Sequence, residues 1–312
     1  MKRRAWTWAL PAAMTLAGCG GAQPAFPAQP ALHRASARSE AQKRTALLYV
    51  LDANDYTGSE TLDVFTYPGA RPISNIETAY GSNGLCIDSS GDVYVAQPYD
   101  VVEYRHGETT PVRTLQSPYT SAGQSVFVSC AVNQSTGDVA VVSASDLGGA
   151  VLIYPGGSSN YKEIPIETTA SLHYCAYDLA GNLYLLEATN GVGVARLKVL
   201  SHGLDHFRSV AIAGSTDING YKGIQYVDDR LVLAALQSGV LRFRTYQEPP
   251  RVEQTGETEL PVSDVGQFFI DRTRIVVPDA ESAAVYFYQY PSGKFAKAIT
   301  GFTYPVASVV SQ

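Results

Sequence analysis

The chain has little that would build a helix. No window of its 312 residues sustains an apolar repeat of 3.6 residues, which leaves no substantial helix to place. Methionine is scarce, with 2 residues, and both tryptophans, Trp6 and Trp8, lie in the first ten positions. No Gly-x-Ser-x-Gly elbow, phosphate loop or dinucleotide fingerprint occurs, so the common nucleotide and acyl-transfer sites have no anchor here. Basic charge is also short, with 23 Lys and Arg against 29 Asp and Glu. What is plentiful is tyrosine (20), glycine (27) and valine, the composition of pleated strands and tight turns.

The one apolar run that stands apart is at the start. Lys2, Arg3 and Arg4 precede a stretch from Ala5 to Leu16, which Pro11 interrupts. It is shorter than the about 20 apolar residues that span a bilayer, and has the flanks of a secretory signal. The sequence Leu16-Ala17-Gly18-Cys19 resembles the lipobox of bacterial lipoproteins. That resemblance implies a signal peptide over 1–18 and an acyl lipid such as palmitate on Cys19. It also implies a location in the cell envelope, anchored to a membrane outside the cytoplasm. Gly20 stands where an aspartate would retain a lipoprotein at the inner membrane, so an outer membrane is favoured in a diderm cell. From 19 to 45 the chain is rich in Ala, Pro, Gln, Ser and Arg without an apolar period, and reads as a tether. Removing 1–18 takes three basic residues and no acid, which leaves a net charge of −9. Such a surface does not attract nucleic acid.

From 46 to 312 one unit recurs. Its clearest copy is Gly84 to Ala96, with echoes from Cys130 to Val142 and from Cys175 to Leu186. Each reads as strand, turn, strand. Asp88, Asn133 and Asp178 open the turns, and Gly91, Gly137 and Gly181 supply the positive φ that closes them. Copies without the glycine run from Ile224 to Leu233 and from Phe268 to Val277. A third strand ending near Tyr or Phe and a weaker fourth strand follow. Alignment puts Asp52, Gln97, Ser143, Glu187, Ala235 and Asp279 in one column, at spacings of 45, 46, 44, 48 and 44. Four strands per 40–50 residues is the period of a propeller blade. The folded part opens on an unpartnered second strand, Leu47–Leu51, and ends on a lone strand, Val306–Val310. Pairing the two closes a ring. The expected fold is therefore all-β: a six-bladed β-propeller of four-stranded antiparallel blades, its ring closed by the C-terminal strand.

Asp52-Ala-Asn54 ahead of Leu62-Asp-Val-Phe65 resembles the NHL-repeat pattern, and Gly84 to Tyr104 is similar again. The regucalcin and gluconolactonase propellers are a neighbouring group. The resemblance implies that ligands meet the mouth formed by the loops entering the first strands and those leaving the second. The entering loops carry Asn83, Gln124, His173, Lys222, Gln267 and Tyr304; the second-strand column adds Asp52, Glu187 and Asp279. Lactonase-like members place two acids and an asparagine around a divalent cation such as calcium. Here no acid occupies the six entering positions, and Asn83 is the one conventional match. Asp52, Glu187 and Asp279 are therefore read as loop stabilisers, with Glu187 the best dissenter.

His173-Tyr174-Cys175 could pair a thiol with its base, but neighbours in a strand point to opposite faces, so buried packing is preferred for Cys175. Cys130 and Cys175 hold matching positions of successive repeats. A disulfide between them is the alternative that export permits, leaving Cys86, shifted by one place, as the odd thiol. His202 and His206 have metal-like spacing but fall in a glycine-bearing loop. The expected function is a lipid-anchored binding module, a monomer without a cofactor, for an envelope protein or small ligand. The alternative is a metal-dependent lactonase or hydrolase.

Overall fold

The computed structural model describes residues 45–53, 60–119, 126–145, 148–166, 171–188, 195–212, 221–237, 240–246, 254–262 and 264–312. Cys19, Gln124 and the segment 1–44 lie outside them. The described strands form six four-stranded antiparallel sheets arranged as a six-bladed propeller. Blade 1 consists of β1 (Leu47–Asp52), β2 (Glu60–Thr66) and β3 (Pro72–Thr78), completed on its inner side by β24 (Pro305–Ser311). Blade 2 follows as β4 (Gly84–Ile87), β5 (Val93–Ala96), β6 (Asp100–Tyr104) and β7 (Pro111–Gln116). Blade 3 runs from β8 (Val126–Val132) and β9 (Val139–Ser145) to β10 (Gly148–Tyr154) and β11 (Lys162–Ile166). Blade 4 contains β12 (Ser171–Tyr177), β13 (Leu183–Ala188), β14 (Ala195–Leu200) and β15 (Arg208–Val210). Blade 5 contains β16 (Tyr221–Val227), β17 (Arg230–Gln237), β18 (Val240–Tyr246) and β19 (Gln254–Leu260). Blade 6 contains β20 (Phe269–Asp271), β21 (Arg274–Asp279), β22 (Ala284–Gln289) and β23 (Phe295–Thr300).

The uninterrupted apolar runs follow from burial of both faces of each blade. Along β1, Leu47, Tyr49 and Leu51 pack with Leu85, Val93 and Val95 of blade 2, while Leu48 and Val50 pack with Val276, Val285 and Phe287 of blade 6. The same alternation fills the other junctions. Outer strands are exposed on most positions, and Pro72 and Pro111 begin two of them, where a missing N–H costs little and discourages pairing with another chain. The turns obey the sequence. Asp88 Oδ1 accepts the N–H groups of Ser90 and Asp92 at 2.8 and 2.9 Å, and Gly91, Gly137 and Gly181 have φ of 81°, 74° and 82°.

Ring closure has two seams. β24 pairs with β1 from Leu47–Ser311 to Asp52–Pro305. On its other side β24 meets blade 6 because of Pro278. Pro278 has no N–H, so the ladder of β20 and β21 stops at Phe269–Val276. The freed backbone of Gln267 turns to β24: its N–H donates to Val306 O at 2.8 Å, and its carbonyl accepts the Ser308 N–H at 2.9 Å. Its side chain reaches past β24 to blade 2, accepting the Leu85 N–H at 2.9 Å and donating to Leu85 O at 2.6 Å. Gln225 does the same between blades 5 and 6, on the backbone of Ile270.

The cysteines differ from the expected arrangement. Cys86 and Cys130 form a disulfide, with Cα atoms 5.7 Å apart, and Cys175 is the free thiol. Strand parity explains the correction. Cys130 and Cys175 sit at the same position of successive blades, so both face backwards around the ring and cannot meet. The one-place shift of Cys86 turns it forwards, into the core that Cys130 faces. The innermost strands β4 and β8 also converge near the axis. A Cβ on Gly84 would lie 2.8 Å from the Ser129 Cα, so the gap between blades is narrow enough for the bond.

Blade 6 is joined to blade 1 by Asp271. Its Oδ1 accepts the N–H groups of Thr273 and Arg274 at 2.8 and 2.7 Å, and its Oδ2 accepts the Tyr67 hydroxyl. Burial alone would raise its pKa, but the donors from Tyr67, Thr273 and Arg274 together hold the carboxyl below its ordinary value. A depressed folded pKa stabilises the fold above the unfolded value and loses that contribution as pH falls through the folded one. Asp271→Asn is expected to cost about 1–2 kcal/mol at neutral pH in urea unfolding, and progressively less below about pH 4. An equal cost at pH 7 and pH 3 would contradict this account.

Candidate functional site

One mouth of the ring is shaped by a repeated irregularity. In blades 1, 3, 4 and 5 the innermost strand meets its neighbour in register until its first residues, where one residue is skipped, and in blade 6 the pairing slips by one between Phe269–Val276 and Val265–Asp279. The skipped residues are Val306 in blade 1, Val128 in blade 3, His173 in blade 4 and Lys222 in blade 5. A bulge re-aims the side chain of the extra residue. Val128, His173 and Val306 line a pocket of about 240 Å³ together with Asn83, Tyr174, Asp264 and Tyr304, and Lys222 reaches its Asp264 wall.

Asp264 is the centre of this pocket's polar wall. Its Oδ1 lies 3.4 Å from Lys222 Nζ, and its Oδ2 accepts the Tyr304 hydroxyl at 3.0 Å. Tyr304 is held by Asp52, whose carboxylate accepts the backbone N–H groups of Thr303 and Tyr304 at 2.6–3.0 Å. Asp264 is positioned by Asp279, which accepts its N–H at 3.3 Å. His173 is kept neutral: burial first, and the Lys222 ammonium second, lower its pKa. Burial and the nearby Asp264 push the Tyr174 phenol up to about 12, so it too is neutral. Asn83 donates to Gly81 O at 2.6 Å. The pocket therefore offers a cation, a carboxylate, an imidazole and two phenols within one small space.

The sequence-derived candidates separate in the structure. Asn83, His173, Lys222 and Tyr304 come together at this mouth. Gln267 does not present its amide there, because Leu85 takes both ends. Glu187 is buried inside blade 4, with Lys198 Nζ 2.6 Å from its Oε1. Cys175 faces the core between blades 3 and 4, while His173 faces the mouth, so the two are no base and nucleophile pair; burial pushes the thiol up to about 12. His206 is exposed beside Asp205, and His202 is tied through its backbone N–H to Asn182 Oδ1 at 3.0 Å. Asp264 lies ahead of the repeat copy that begins at Phe268 and carries no repeat signal of its own. Pro278, inside an otherwise regular second strand, was the signal that the first strand starts differently.

Among the described residues, no group of three or more His, Cys, Asp or Glu stands where it could hold a metal ion. Asp52, Glu187 and Asp279 are each engaged with backbone groups or Lys198, so they do not fit the cation of a lactonase-like centre.

No protein-family model matches the sequence, and no curated protein matches it. Solved structures do. A chain in the crystal structure of a nidogen/laminin complex is 10% identical, with a TM-score of 0.66 over 86% of this chain and 98% of that one. A protein of unknown function from Bacteroides caccae is 9% identical, with a TM-score of 0.63 over 86% of this chain and 99% of its own. At such identities the likeness speaks for the fold alone, and the fold is that of a six-bladed β-propeller.

Proposed function

We propose that the protein is an exported, lipid-anchored propeller that binds a partner in the cell envelope through the pocket around Asp264. The observation that carries this reading is the Lys222–Asp264–Tyr304 arrangement beside neutral His173, at a mouth built from bulged strands. Four elements bring these groups together. The space, about 240 Å³, is below the roughly 300–1,000 Å³ of small-molecule pockets. It suits one side chain of a protein partner, or a small envelope ligand of a few polar atoms. The presence of a propeller of similar fold in a nidogen/laminin complex is in keeping with such a role.

The lipobox at Cys19 supports anchoring, with 19–45 as the tether and the outer membrane as the site in a diderm cell. The Cys86–Cys130 disulfide supports an oxidising compartment outside the cytoplasm. The NHL-like features support membership of that broad superfamily, and our reading of the protein is a monomeric binding module rather than a hydrolase.

Two experiments test the reading. Cys19→Ser is expected to abolish labelling by an alkyne palmitate analogue and move the protein from the membrane pellet to the soluble fraction; unchanged labelling rejects the anchor. Cross-linking in intact cells is expected to recover one envelope partner, with recovery falling about tenfold in Lys222→Ala and Asp264→Asn, the loss of a buried polar contact. Recovery from both variants equal to that from the parent rejects this mouth as the binding site.

A further inference from the structure

The opposite mouth of the ring holds a larger space, an open bowl of about 920 Å³. Part of its wall is apolar: Ile87, Tyr226 and Phe269 are half-buried there, and Leu179 on the rim is 72% exposed. Its rim is acidic. The hairpins joining the first and second strands of blades 2 and 5 bring Asp88, Asp228 and Asp229 to it, and Arg272 of the blade 6 hairpin is the cation among the lining residues; Asp271 lies there too, but its carboxylate is taken by Tyr67 and backbone N–H groups, with Arg274 3.9 Å away. Arg272 lies 3.4 Å from Asp228, and both are exposed, so their mutual screening is weak.

The blade 5 hairpin is unusual in its chemistry. Asp228 and Asp229 both have positive φ, 47° and 60°, in a two-residue turn where Asn-Gly is the local optimum. Blades 2, 3 and 4 meet the same need with a glycine. Here two carboxylates stand where uncharged residues would fold more easily.

We propose that this bowl docks a basic peptide segment of a partner protein. Lysine and arginine combine an aliphatic stem with a cationic head. The stem fits the walls at Ile87, Tyr226 and Phe269, with cation–π attraction from the two rings, and the head meets the carboxylates of the rim. The same rim repels phosphates, acidic peptides and anionic lipid. This rests on the ring being a binding module, but not on the Asp264 pocket at the other mouth.

The test is fluorescence anisotropy of the purified protein with a labelled peptide of alternating lysine and leucine, beside one of alternating glutamate and leucine. Saturable binding of the basic peptide alone is expected, weakening as salt rises. The double variant Asp228→Asn, Asp229→Asn should bind it about tenfold more weakly, since two facing charges are lost. Asparagine adopts positive φ at least as readily as aspartate, so this variant keeps the turn. Lys222→Ala should bind as the parent does, which separates this mouth from the other. Equal binding of the two peptides, no loss in the double variant, or no saturable binding would overturn the proposal. Full displacement by an equal concentration of spermine would assign the bowl to a small polycation and overturn the peptide.

Discussion

Gly266→Ala is expected to lower stability by about 4 kcal/mol or more, and the thermal midpoint by roughly 10 °C, since its added methyl would meet the closest contact found at any described glycine. A Cβ at that position would lie 1.7 Å from the Val306 carbonyl oxygen and 2.4 Å from its carbon. Both are backbone atoms, so no side-chain rotation relieves the overlap. The approach is this close because Pro278 turns the Gln267 backbone away from β21 and onto β24. Pushing the two segments apart would break the bonds from Gln267 N–H to Val306 O and from Ser308 N–H to Gln267 O, and withdraw the Gln267 amide from Leu85. Those groups are partly buried, and each left unpaired costs about 1 kcal/mol or more. Gly256→Ala, whose Cβ would meet nothing closer than 3.9 Å, is the control and should stay within about 0.5 kcal/mol. Calorimetry of the two variants decides the matter: an unchanged midpoint for Gly266→Ala would show that the ring does not close through this contact.

The same seam shows what the sequence could and could not convey. Strands such as Leu47-Leu-Tyr-Val-Leu51 were legible because both faces of a blade are buried, which writes a run of apolar residues into the chain. Turns were legible because Asp88 or Asn133 followed by a positive-φ glycine has a physical need. The column of Asp52, Ser143, Glu187, Ala235 and Asp279 does share one register: each pairs with the residue just before the skipped position, at Pro305, Phe127, Leu172, Tyr221 and Val265. The skip itself leaves no mark, because a bulge is a property of two strands and needs no particular residue. Val128 therefore holds the mouth position of blade 3, downstream of the Gln124 that the sequence suggested. Gln267, one place beyond the bulge of its blade, serves the ring instead of the pocket.

The disulfide offers the second large effect. Cysteines 44 residues apart close a loop whose chain-entropy contribution is about 4 kcal/mol. Cys86→Ala with Cys130→Ala should lose most of that, at least 2 kcal/mol, in denaturant unfolding, and reduction of the parent should do the same. Both should also steepen the unfolding slope, because a denatured chain freed of the cross-link exposes more surface. Cys175→Ala should leave the response to reductant intact, because Cys175 faces a different core. Its thiol is buried and its pKa pushed up to about 12, so Ellman's reagent should find it silent in the folded protein. Denaturation without reductant should then release one thiol from the propeller, and with reductant three. Peptide mapping under non-reducing conditions fixes the pairing. A Cys86–Cys130 peptide is the outcome that parity demands, since a strand position shifted by one faces the other neighbour. A Cys130–Cys175 peptide would require one of those strands to be flipped, and with it every core residue that the strand contributes.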